Sequence, residues 1–249
     1  MSIGVEVIPD PEPLSDPERI YLELVGPERA LRIDGVMNAR DIGGLIGERG
    51  PVRAGRLLRS ARLQHLSPQG GATLTGLDLR TVIDLRTPRE RVEYPNDLTG
   101  LDGVTEIRVE LLETLDDVDA LPGNAQRELY RYLVDTCGAG IVAVLEHLAK
   151  PDALPALVHC HVGKDRTGLT VALLLELLGV PRDVIAADYV MSNAGLGAIR
   201  HNDVQAEVLV WTLAGLDERF GGPQAYLAAH GLRDETVDAL RAAFLDSSA

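Results

Sequence analysis

Residues 156–178 read ALVHCHVGKDRTGLTVALLLELL, and this stretch decides the fold. The apolar run at 156–158 indicates a buried strand, and the long apolar run at the other end indicates a helix. Gly179 and Pro181 follow directly and predict where that helix ends. Ligands of open α/β proteins bind where such a loop leaves the carboxyl end of a strand. The stretch therefore predicts an α/β fold with a ligand site between this strand and this helix.

The polar middle of the stretch places a cysteine and an arginine around one phosphate-sized loop. Five residues separate Cys160 from Arg166, so successive N–H groups can converge on one point at a helix N-terminus, where an anion is favoured. The same field can lower a cysteine pKa from about 8.5 into the range of about 3.5 to 7.5. Arg166 adds a planar fork that can hold two phosphate oxygens. The chemistry that we expect is phosphoryl transfer to the sulfur of Cys160.

The loop resembles the signature loop of protein-tyrosine phosphatases, in which His-Cys is followed by five residues, Arg, and Ser or Thr. Its GKDRTG part, residues 163–168, is similar to the narrower group of atypical bacterial protein-tyrosine phosphatases of the mycobacterial type. The resemblance covers roughly residues 32–246. Further motifs similar to that family are NARDIGG at 38–44, LRSARL at 58–63, TVIDLR at 81–86, DYVMSN at 188–193 and YLAAHGL at 226–232.

This resemblance implies a cysteine-phosphatase fold and hydrolysis of phosphotyrosine through a phosphocysteine intermediate. Phosphoserine, phosphothreonine and phosphoinositides are the further substrate classes that it implies. Cys160 is then the nucleophile, Arg166 the phosphate clamp and Asp165 the general acid. Thr167 resembles the hydroxyl residue that hydrogen-bonds the leaving sulfur, and Lys164 resembles the second cation found in phosphatases that accept phosphoinositide headgroups.

The identity of the general acid stays open between two aspartates. Many tyrosine phosphatases carry this acid on a Trp-Pro-Asp loop, but Trp211 is the only tryptophan here and no Pro-Asp follows it. By resemblance Asp165 is the first candidate, with an ion pair to a neighbouring arginine as its alternative role. Asp84, at the end of a predicted strand, is the second candidate, with a structural bridge to the loop or to Arg86 as its alternative role.

The remaining site residues support the loop or line it. We expect residues 161–166 to bind the phosphate, namely His161, Val162, Gly163, Lys164, Asp165 and Arg166. His161 and Val162 depart from the family pattern, in which an apolar or aromatic residue is often followed by Ala. We expect His159 to orient the loop backbone, and Arg59 to contact the phosphate or the loop or to form a structural pair. Cys137 is either a small buried residue or a partner that traps oxidised Cys160 as a disulfide.

The rest of the chain alternates strand-like and helix-like segments, which is typical of an α/β sheet. Aliphatic and β-branched residues predict strands at residues 81–85, 105–111 and 155–159. Apolar spacing predicts helices at residues 126–136, 141–150, 166–178, 204–216 and 235–245. The predicted fold class is α/β, with a central, mostly parallel sheet flanked by helices. Residues 192–220 have an amphipathic pattern. The family resemblance implies a helical lid over the active site here, and a plain core helix is the alternative.

Composition limits what the protein does and where it works. The 249 residues, 45% of them hydrophobic, predict one domain over 31–249 that follows an acidic, proline-rich arm over 1–30. The net charge of −14 argues against a nucleic-acid partner and against adsorption to anionic membranes. The two cysteines are too few for a disulfide framework, and no apolar run reaches the roughly 20 residues that cross a bilayer. We therefore expect a cytoplasmic protein, with export by a route that lacks a cleavable signal left open.

Two other functions use the same kind of loop. The first is a catalytically silent module that recognises a phosphorylated protein or lipid headgroup. The second is a Cys-loop sulfurtransferase or arsenate reductase, against which Asp165, Arg166 and Thr167 argue. The sequence predicts no metal site and no cofactor, because it has no cluster of metal ligands and the loop supplies its own positive charge. Nothing in it specifies an oligomeric state.

Overall fold

A computed structural model describes residues 29–112, 125–196 and 204–246. Its centre is a five-stranded sheet with four neighbouring parallel strands and one antiparallel edge strand. A separate two-stranded hairpin lies beside it. In chain order the strands are β1 (Arg40–Asp41), β2 (Ile46–Gly47), β3 (Gly50–Pro51), β4 (Leu57–Ser60), β5 (Thr81–Asp84), β6 (Thr105–Arg108) and β7 (Ala156–His159). The order across the sheet is β1, β4, β7, β5, β6, so the strand that carries the signature loop is central.

Helices cover this sheet on both faces. They are α1 (Pro68–Gly76), α2 (Pro88–Glu93), α3 (Ala125–Thr136), α4 (Gly138–Leu148), α5 (Asp165–Leu177), α6 (Arg182–Leu196), α7 (Ala206–Phe220), α8 (Pro223–Ala229) and α9 (Asp234–Phe244). Alternate strand residues enter different cores: Ile83 and Val158 belong to the larger one, whereas Val82 and Leu157 belong to the smaller one. Both faces of the sheet are therefore buried, as is usual for parallel strands.

The predicted α/β class and mostly parallel sheet are confirmed. Each predicted strand and helix is present, with ends that differ by a few residues; the strand expected at 105–111 ends at Arg108, for example. Helices α1, α2, α6 and α8 lay outside the predicted helices. Segment α1 contains three glycines, which weaken a helical pattern, but Ser67 caps it and a proline starts it. Gly179, with φ +77°, follows the end of α5 as predicted.

Of the two interpretations of residues 192–220, the described part supports a core helix. Segment α7 packs against α3, α6 and α8. Its buried side chains belong to the larger core, namely Val208, Leu209, Leu213 and Leu216. Residues 197–203, which also fall in the region where a lid is predicted, lie outside the described residues. Within the described ranges, no helix is long and apolar enough to cross a membrane.

The register of the sheet brings three strand ends to the same level. His159, the last residue of β7, pairs with Ser60 of β4 on one side and with Asp84 of β5 on the other. Because these strands are parallel, the residues that follow them leave the sheet at the same edge. The signature loop therefore lies between the segments that follow β4 and β5.

Candidate active site

The signature loop turns sharply at one glycine. Gly163 has φ +70°, a left-handed conformation that side chains disfavour. A Cβ atom there would lie 2.2 Å from the carbonyl oxygen of Ser60, at the end of β4. No other residue fits this position without moving the backbone. The turn lets the chain pass from Cys160, directly after β7, to the start of α5 at Asp165.

Every carbonyl group at residues 160–163 accepts a hydrogen bond from a donor outside the phosphate cradle. The donor and acceptor pairs are His159 Nδ1 and Cys160 O at 3.0 Å, Arg62 N and His161 O at 3.0 Å, Asn38 Nδ2 and Val162 O at 3.0 Å, and Arg59 Nη2 and Gly163 O at 3.0 Å. Peptide groups are planar, so fixing these carbonyls also fixes the direction of the N–H groups between them.

The N–H groups of the same loop are available to a ligand. Within the described part of the chain, the N–H groups of Val162, Gly163 and Arg166 donate to no protein acceptor. They lie at the N-terminus of α5, whose dipole favours negative charge. Converging N–H groups at a helix N-terminus bind phosphate-like anions. This geometry suits residues 161–166 to the phosphate-binding role that their sequence predicts.

Arg166 is held in place by a carboxylate that sequence analysis missed. Its Nη1 and Nη2 atoms donate to the two carboxylate oxygens of Glu90 at 2.6 and 2.8 Å. Both side chains are buried. A two-point pair of this kind fixes the plane of the guanidinium group as well as its position. Glu90 thus orients the arginine that faces the loop.

Glu90 is in turn fixed by the start of α2. Its N–H group donates to Thr87 Oγ1 at 3.2 Å, and its carboxylate accepts from Thr87 N at 2.9 Å, which together form a capping box. Burial would raise the pKa of Glu90, but the hydrogen bonds and charge of Arg166 outweigh burial and lower it to about 2. The sequence signal was present, since Thr87-Pro88-Arg89-Glu90 has the spacing of a capping box, but it does not point to Arg166.

The two candidate acids differ in their surroundings. Burial raises the pKa of Asp165. The positive charges of Lys164 and Arg166 act in the opposite direction but do not outweigh burial. Its Oδ1 atom is buried and accepts no hydrogen bond in the described structure, and its Oδ2 atom lies 3.7 Å from Lys164 Nζ. A carboxyl group with a raised pKa is suited to carry a proton near neutral pH.

Asp84 is fully buried and both of its oxygens accept hydrogen bonds. Arg86 donates its backbone N–H and its Nε to Oδ1 at 3.0 and 2.9 Å, and its Nη2 to Oδ2 at 2.7 Å. Asn96 donates to Oδ2 at 3.2 Å. Burial would raise the pKa of Asp84, but the hydrogen bonds of Arg86 outweigh it and lower it. This environment matches the structural bridge to Arg86 that was the alternative role for Asp84.

His159 lies beneath the loop and is fully buried. Its Nδ1 donates to the carbonyl oxygen of Cys160, and its Nε2 accepts from Asn96 Nδ2 at 3.1 Å. Burial lowers its pKa, which keeps the ring neutral and this pattern of one donor and one acceptor intact. The contact is of the loop-orienting kind expected from sequence.

Arg59 contacts the loop and forms a structural pair at the same time. Besides Gly163 O, it donates to Asp188 Oδ2 at 2.6 Å. Asp188, on α6, also pairs with Arg29 at 2.7 Å and with Arg40 at 3.2 Å. All four side chains are buried. This network ties the loop to β1, β4 and α6, and it includes Arg29, which the sequence assigned to the N-terminal arm.

His161 and Arg62 form one wall of the loop. Arg62 Nη1 donates to His161 Nε2 at 2.8 Å, and its guanidinium lies 4.8 Å from the centre of the Tyr94 ring. The edge-to-face contact between Tyr94 and His161 has a centroid distance of 4.9 Å. Burial and the nearby arginine lower the pKa of His161 to about 4. The residue that departs from the family pattern is therefore a neutral, half-buried ring beside Cys160.

Thr167 and the two cysteines complete the site's surroundings. The hydroxyl of Thr167 is buried and has no hydrogen-bond partner within the described ranges. Its usual acceptor in a helix would be Gly163 O, which already accepts a hydrogen bond from Arg59 Nη2.

Cys160 and Cys137 are both free and buried. The thiol of Cys137 donates to Leu111 O at 2.5 Å, and burial raises its pKa.

Comparisons with known proteins agree on one family. The profile of the tyrosine phosphatase family matches residues 31–246. The triple specificity protein phosphatase PtpB of Mycobacterium tuberculosis is 29% identical, over 86% of this chain and 98% of that protein. A tyrosine-protein phosphatase of Nostoc commune is 26% identical, over 76% of this chain and 74% of that protein.

Among solved structures, TpbA of P. aeruginosa covers 88% of this chain and 97% of its own, with 19% identity and a TM-score of 0.42. Family membership rests on the sequence comparisons, with the family profile matching residues 31–246.

Proposed function

Since this chain belongs to the tyrosine phosphatase family, we propose that it hydrolyses phosphotyrosine through a phosphocysteine intermediate on Cys160. The observation that carries the proposal is the loop itself. Its carbonyl groups are held by outside donors, its N–H groups are available, and Arg166 is fixed by Glu90 beside them. Such a loop binds a dianionic phosphate and places it against the sulfur of Cys160.

In the first proposed step, the Cys160 thiolate attacks phosphorus and forms an S–P bond. The bond between phosphorus and the leaving oxygen breaks, and its electron pair stays on that oxygen. Protonated Asp165 gives its proton to the leaving oxygen and becomes a carboxylate. Negative charge on the three remaining phosphoryl oxygens is stabilised by Arg166 and the loop N–H groups.

In the second proposed step, water attacks the phosphocysteine. The Asp165 carboxylate takes a proton from this water, the S–P bond breaks, and its electron pair returns to sulfur as thiolate. The unpartnered hydroxyl of Thr167 supports a role in donating to that sulfur as it leaves. Inorganic phosphate is released, and Asp165 is protonated again for the next cycle.

Asp165 is the acid in this proposal because its environment favours the protonated form. Asp84 would have to give up bonds to Arg86 and Asn96 before it could act, and the lowered pKa of Asp84 makes it a poor proton donor. Asp84, His159 and Arg59 act instead through the backbone and packing of the loop.

We propose phosphoserine, phosphothreonine and phosphoinositides as further substrate classes. The name of the Mycobacterium tuberculosis relative, a triple specificity protein phosphatase, supports a broad range. Lys164 and Arg62 add positive charge beside the loop, which supports substrates that carry more than one phosphate. A cytoplasmic location is part of the same proposal, because two free cysteines suit a reducing compartment.

The test is hydrolysis in the presence of a metal chelator by the wild type, Cys160→Ser, Cys137→Ser and Asp165→Asn. The substrates are a phosphotyrosine peptide, a phosphoserine peptide and a panel of phosphoinositides. We expect no turnover by Cys160→Ser with phosphate binding retained, wild-type turnover by the matched control Cys137→Ser, and a loss of roughly 100-fold for Asp165→Asn. Hydrolysis by Cys160→Ser would contradict the covalent mechanism.

Two other outcomes would point to the rival functions. Phosphate binding without hydrolysis of any substrate by the wild type would favour the silent module. Sulfur transfer from thiosulfate, or reduction of arsenate, at a rate above that of phosphate-ester hydrolysis would favour the sulfurtransferase or reductase.

A further inference from the structure

One arginine beside the signature loop is held only by neutral groups. Arg62 is half-buried, and within the described ranges it forms no ion pair with a carboxylate. Its Nε donates to Gln64 Oε1 at 2.7 Å, and its Nη1 donates to His161 Nε2 at 2.8 Å. The His161 ring is neutral, because burial and the charge of Arg62 lower its pKa to about 4. A partly buried cation with neutral neighbours of this kind keeps its attraction for an anion.

The side chain of Arg62 is also fixed in position. Its guanidinium group lies 4.8 Å from the centre of the Tyr94 ring, and Tyr94 contacts the His161 ring edge to face. Two of the guanidinium N–H groups are used by Gln64 and His161, whereas Nη2 donates to no acceptor among the described residues. A planar fork that has unused donors and is held by its neighbours suits a carboxylate or a phosphate group.

The His161 ring separates this fork from the pair that holds the phosphate clamp. The backbone N–H of Arg62 donates to His161 O at 3.0 Å, so the two chain segments run side by side. On the far side of the ring, His161 Nδ1 lies 3.6 Å from Glu90 Oε1. That carboxylate oxygen accepts from Arg166 Nη2 at 2.8 Å. A second anion at Arg62 would therefore lie beside a phosphate held by the loop, on the same substrate molecule.

We infer that Arg62 is a specificity-determining residue that binds an acidic side chain next to the phosphotyrosine of a peptide substrate. The inference rests on the proposed hydrolysis of phosphotyrosine. The two oxygens of a carboxylate match the guanidinium fork. The net charge of −14 opposes approach to an anionic lipid surface, which favours a peptide over a phosphoinositide in a membrane as the source of the second anion.

The wild type gives the first test. Three phosphotyrosine peptides share one sequence and carry Asp, Asn or Lys on both sides of the phosphotyrosine. We expect kcat/KM to be about threefold to tenfold higher for the Asp peptide than for the Asn peptide, and lowest for the Lys peptide. The ratio of the Asp to the Asn peptide should fall as KCl is raised from about 0.02 M to about 0.5 M, because salt screens such a pair. Equal kcat/KM on the Asp and Asn peptides would overturn the inference.

Variants of Arg62 show whether the preference comes from this side chain. Arg62→Gln should abolish the preference for the Asp peptide, and Arg62→Glu should reverse it in favour of the Lys peptide. If Arg62 served only to hold the His161 ring, each substitution would change kcat/KM on all three peptides by the same factor. A preference for the Asp peptide that persists in Arg62→Glu would contradict the proposed contact.

The matched control is Arg182→Gln. Arg182 is also half-buried, but it pairs with Glu176 at 2.7 Å and with Asp217 at 2.6 Å, away from the loop. This variant should keep the wild-type order of the three peptides. Arg62→Lys keeps the charge and loses the fork, so it should show a reduced preference for the Asp peptide. Arg62→Lys and the salt series on the wild type carry the test if the other Arg62 variants do not fold.

Binding to Cys160→Ser separates this inference from the proposed function. Calorimetric titration should give a lower Kd for the Asp peptide than for the Asn peptide, and the double variant Cys160→Ser/Arg62→Gln should lose that difference. If the wild type hydrolyses no peptide while Cys160→Ser shows this preference, the proposed hydrolysis is wrong and the Arg62 contact stands.

A phosphoinositide arm tests the other source of a second anion. The substrates are vesicles that contain phosphatidylinositol monophosphate or bisphosphate. If Arg62→Gln keeps the wild-type order of the peptides and selectively loses hydrolysis of the bisphosphate, Arg62 binds a headgroup phosphate and the peptide inference is wrong.

Discussion

Two carboxylates at the same loop have opposite pKa shifts. Burial raises the pKa of Asp165, whereas the two-point pair with Arg166 overcomes burial and lowers the pKa of Glu90 to about 2. Neighbouring carboxyl groups with pKa values pushed apart are suited to different tasks. At neutral pH, Glu90 is the permanent anion that orients a clamp, and Asp165 is the group that can exchange a proton.

Removing the charge of Glu90 should disturb the orientation of the Arg166 guanidinium group, although the Arg166 side chain itself is unchanged. We expect Glu90→Gln to lower kcat/KM on p-nitrophenyl phosphate roughly 10- to 100-fold, because the guanidinium group loses its fixed plane. Steady-state kinetics and inhibition by inorganic phosphate measure the effect. Glu176→Gln is the control, since Glu176 pairs with Arg182 at 2.7 Å away from the loop. Unchanged kcat/KM in Glu90→Gln would show that Arg166 needs no such partner.

The same pair predicts how stability depends on pH. The pKa of Glu90 is lowered from 4.5 to about 2 on folding, so its contribution to stability is full above pH 4.5 and is lost as the pH falls toward 2. The free energy of unfolding of the wild type should therefore approach that of Glu90→Gln across this window. Urea denaturation of both proteins at several pH values measures it. A difference that stays constant with pH would contradict the pairing.

At the scale of secondary structure, a six-residue helix positions Arg166, the proposed phosphate clamp. Segment α2 is too short to be stable by itself, and Glu90 lies in its first turn. The capping box with Thr87 fixes that turn. The cap of α1 is similar, with Ser67 Oγ accepting from Gly70 N at 3.1 Å, but among the described residues no hydrogen bond joins that turn to the loop. The start of α2 therefore positions a residue of the site, whereas the start of α1 contributes only to the stability of the fold.

This contrast can be tested by removing each cap. Thr87→Ala and Ser67→Ala should each lower the free energy of unfolding by about 1 kcal/mol. Only Thr87→Ala should also lower kcat/KM, by roughly threefold to tenfold, because it releases Glu90 and with it Arg166. Thermal unfolding and steady-state kinetics of the two variants give the comparison. Equal effects of Thr87→Ala and Ser67→Ala on kcat/KM would mean that the cap of α2 has no specific effect on the active site.

At the scale of the whole molecule, one buried aspartate joins the elements around the loop. Asp188 of α6 faces Arg29, Arg40 and Arg59, and Arg59 reaches the loop itself. Burial would raise the pKa of Asp188, but these three arginines keep it far below its ordinary range. Burial and the charge of Arg59 lower the pKa of Arg40 to about 9. Within the described residues, Arg40 and Arg59 therefore share Asp188 as their counter-charge.

Asp188→Asn should destabilise the fold strongly, because it removes the carboxylate that pairs with buried Arg40 and Arg59 among the described residues. We expect a loss of about 3 to 5 kcal/mol in the free energy of unfolding. The control is Asp217→Asn, which breaks a more exposed pair with Arg182 at 2.6 Å and should cost about 1 kcal/mol or less. Urea denaturation measures both, and similar losses would contradict the network's role.

The strand, the loop and the helix of residues 156–178 were predictable because they are contiguous. Cys160 and Arg166 reach one cradle through five residues of backbone, and a glycine between them permits the turn. Local spacing is therefore enough to predict the proposed nucleophile, the proposed phosphate clamp and the order of the surrounding elements. Local spacing does not predict short helices such as α2, because their apolar patterns are weak when the capping residues are not considered.

The partners of these residues follow only from the order of strands in the sheet. Glu90 and Arg166 are 76 residues apart in the chain, Arg59 and Asp188 are 129 apart, and Tyr130 and Tyr189 are 59 apart. These pairs meet because β4 and β5 flank β7, and because α6, which packs against α5, also contacts Tyr130 of α3. A spacing rule covers contacts within one loop or helix, whereas a contact between elements depends on their packing, which only the tertiary structure decides.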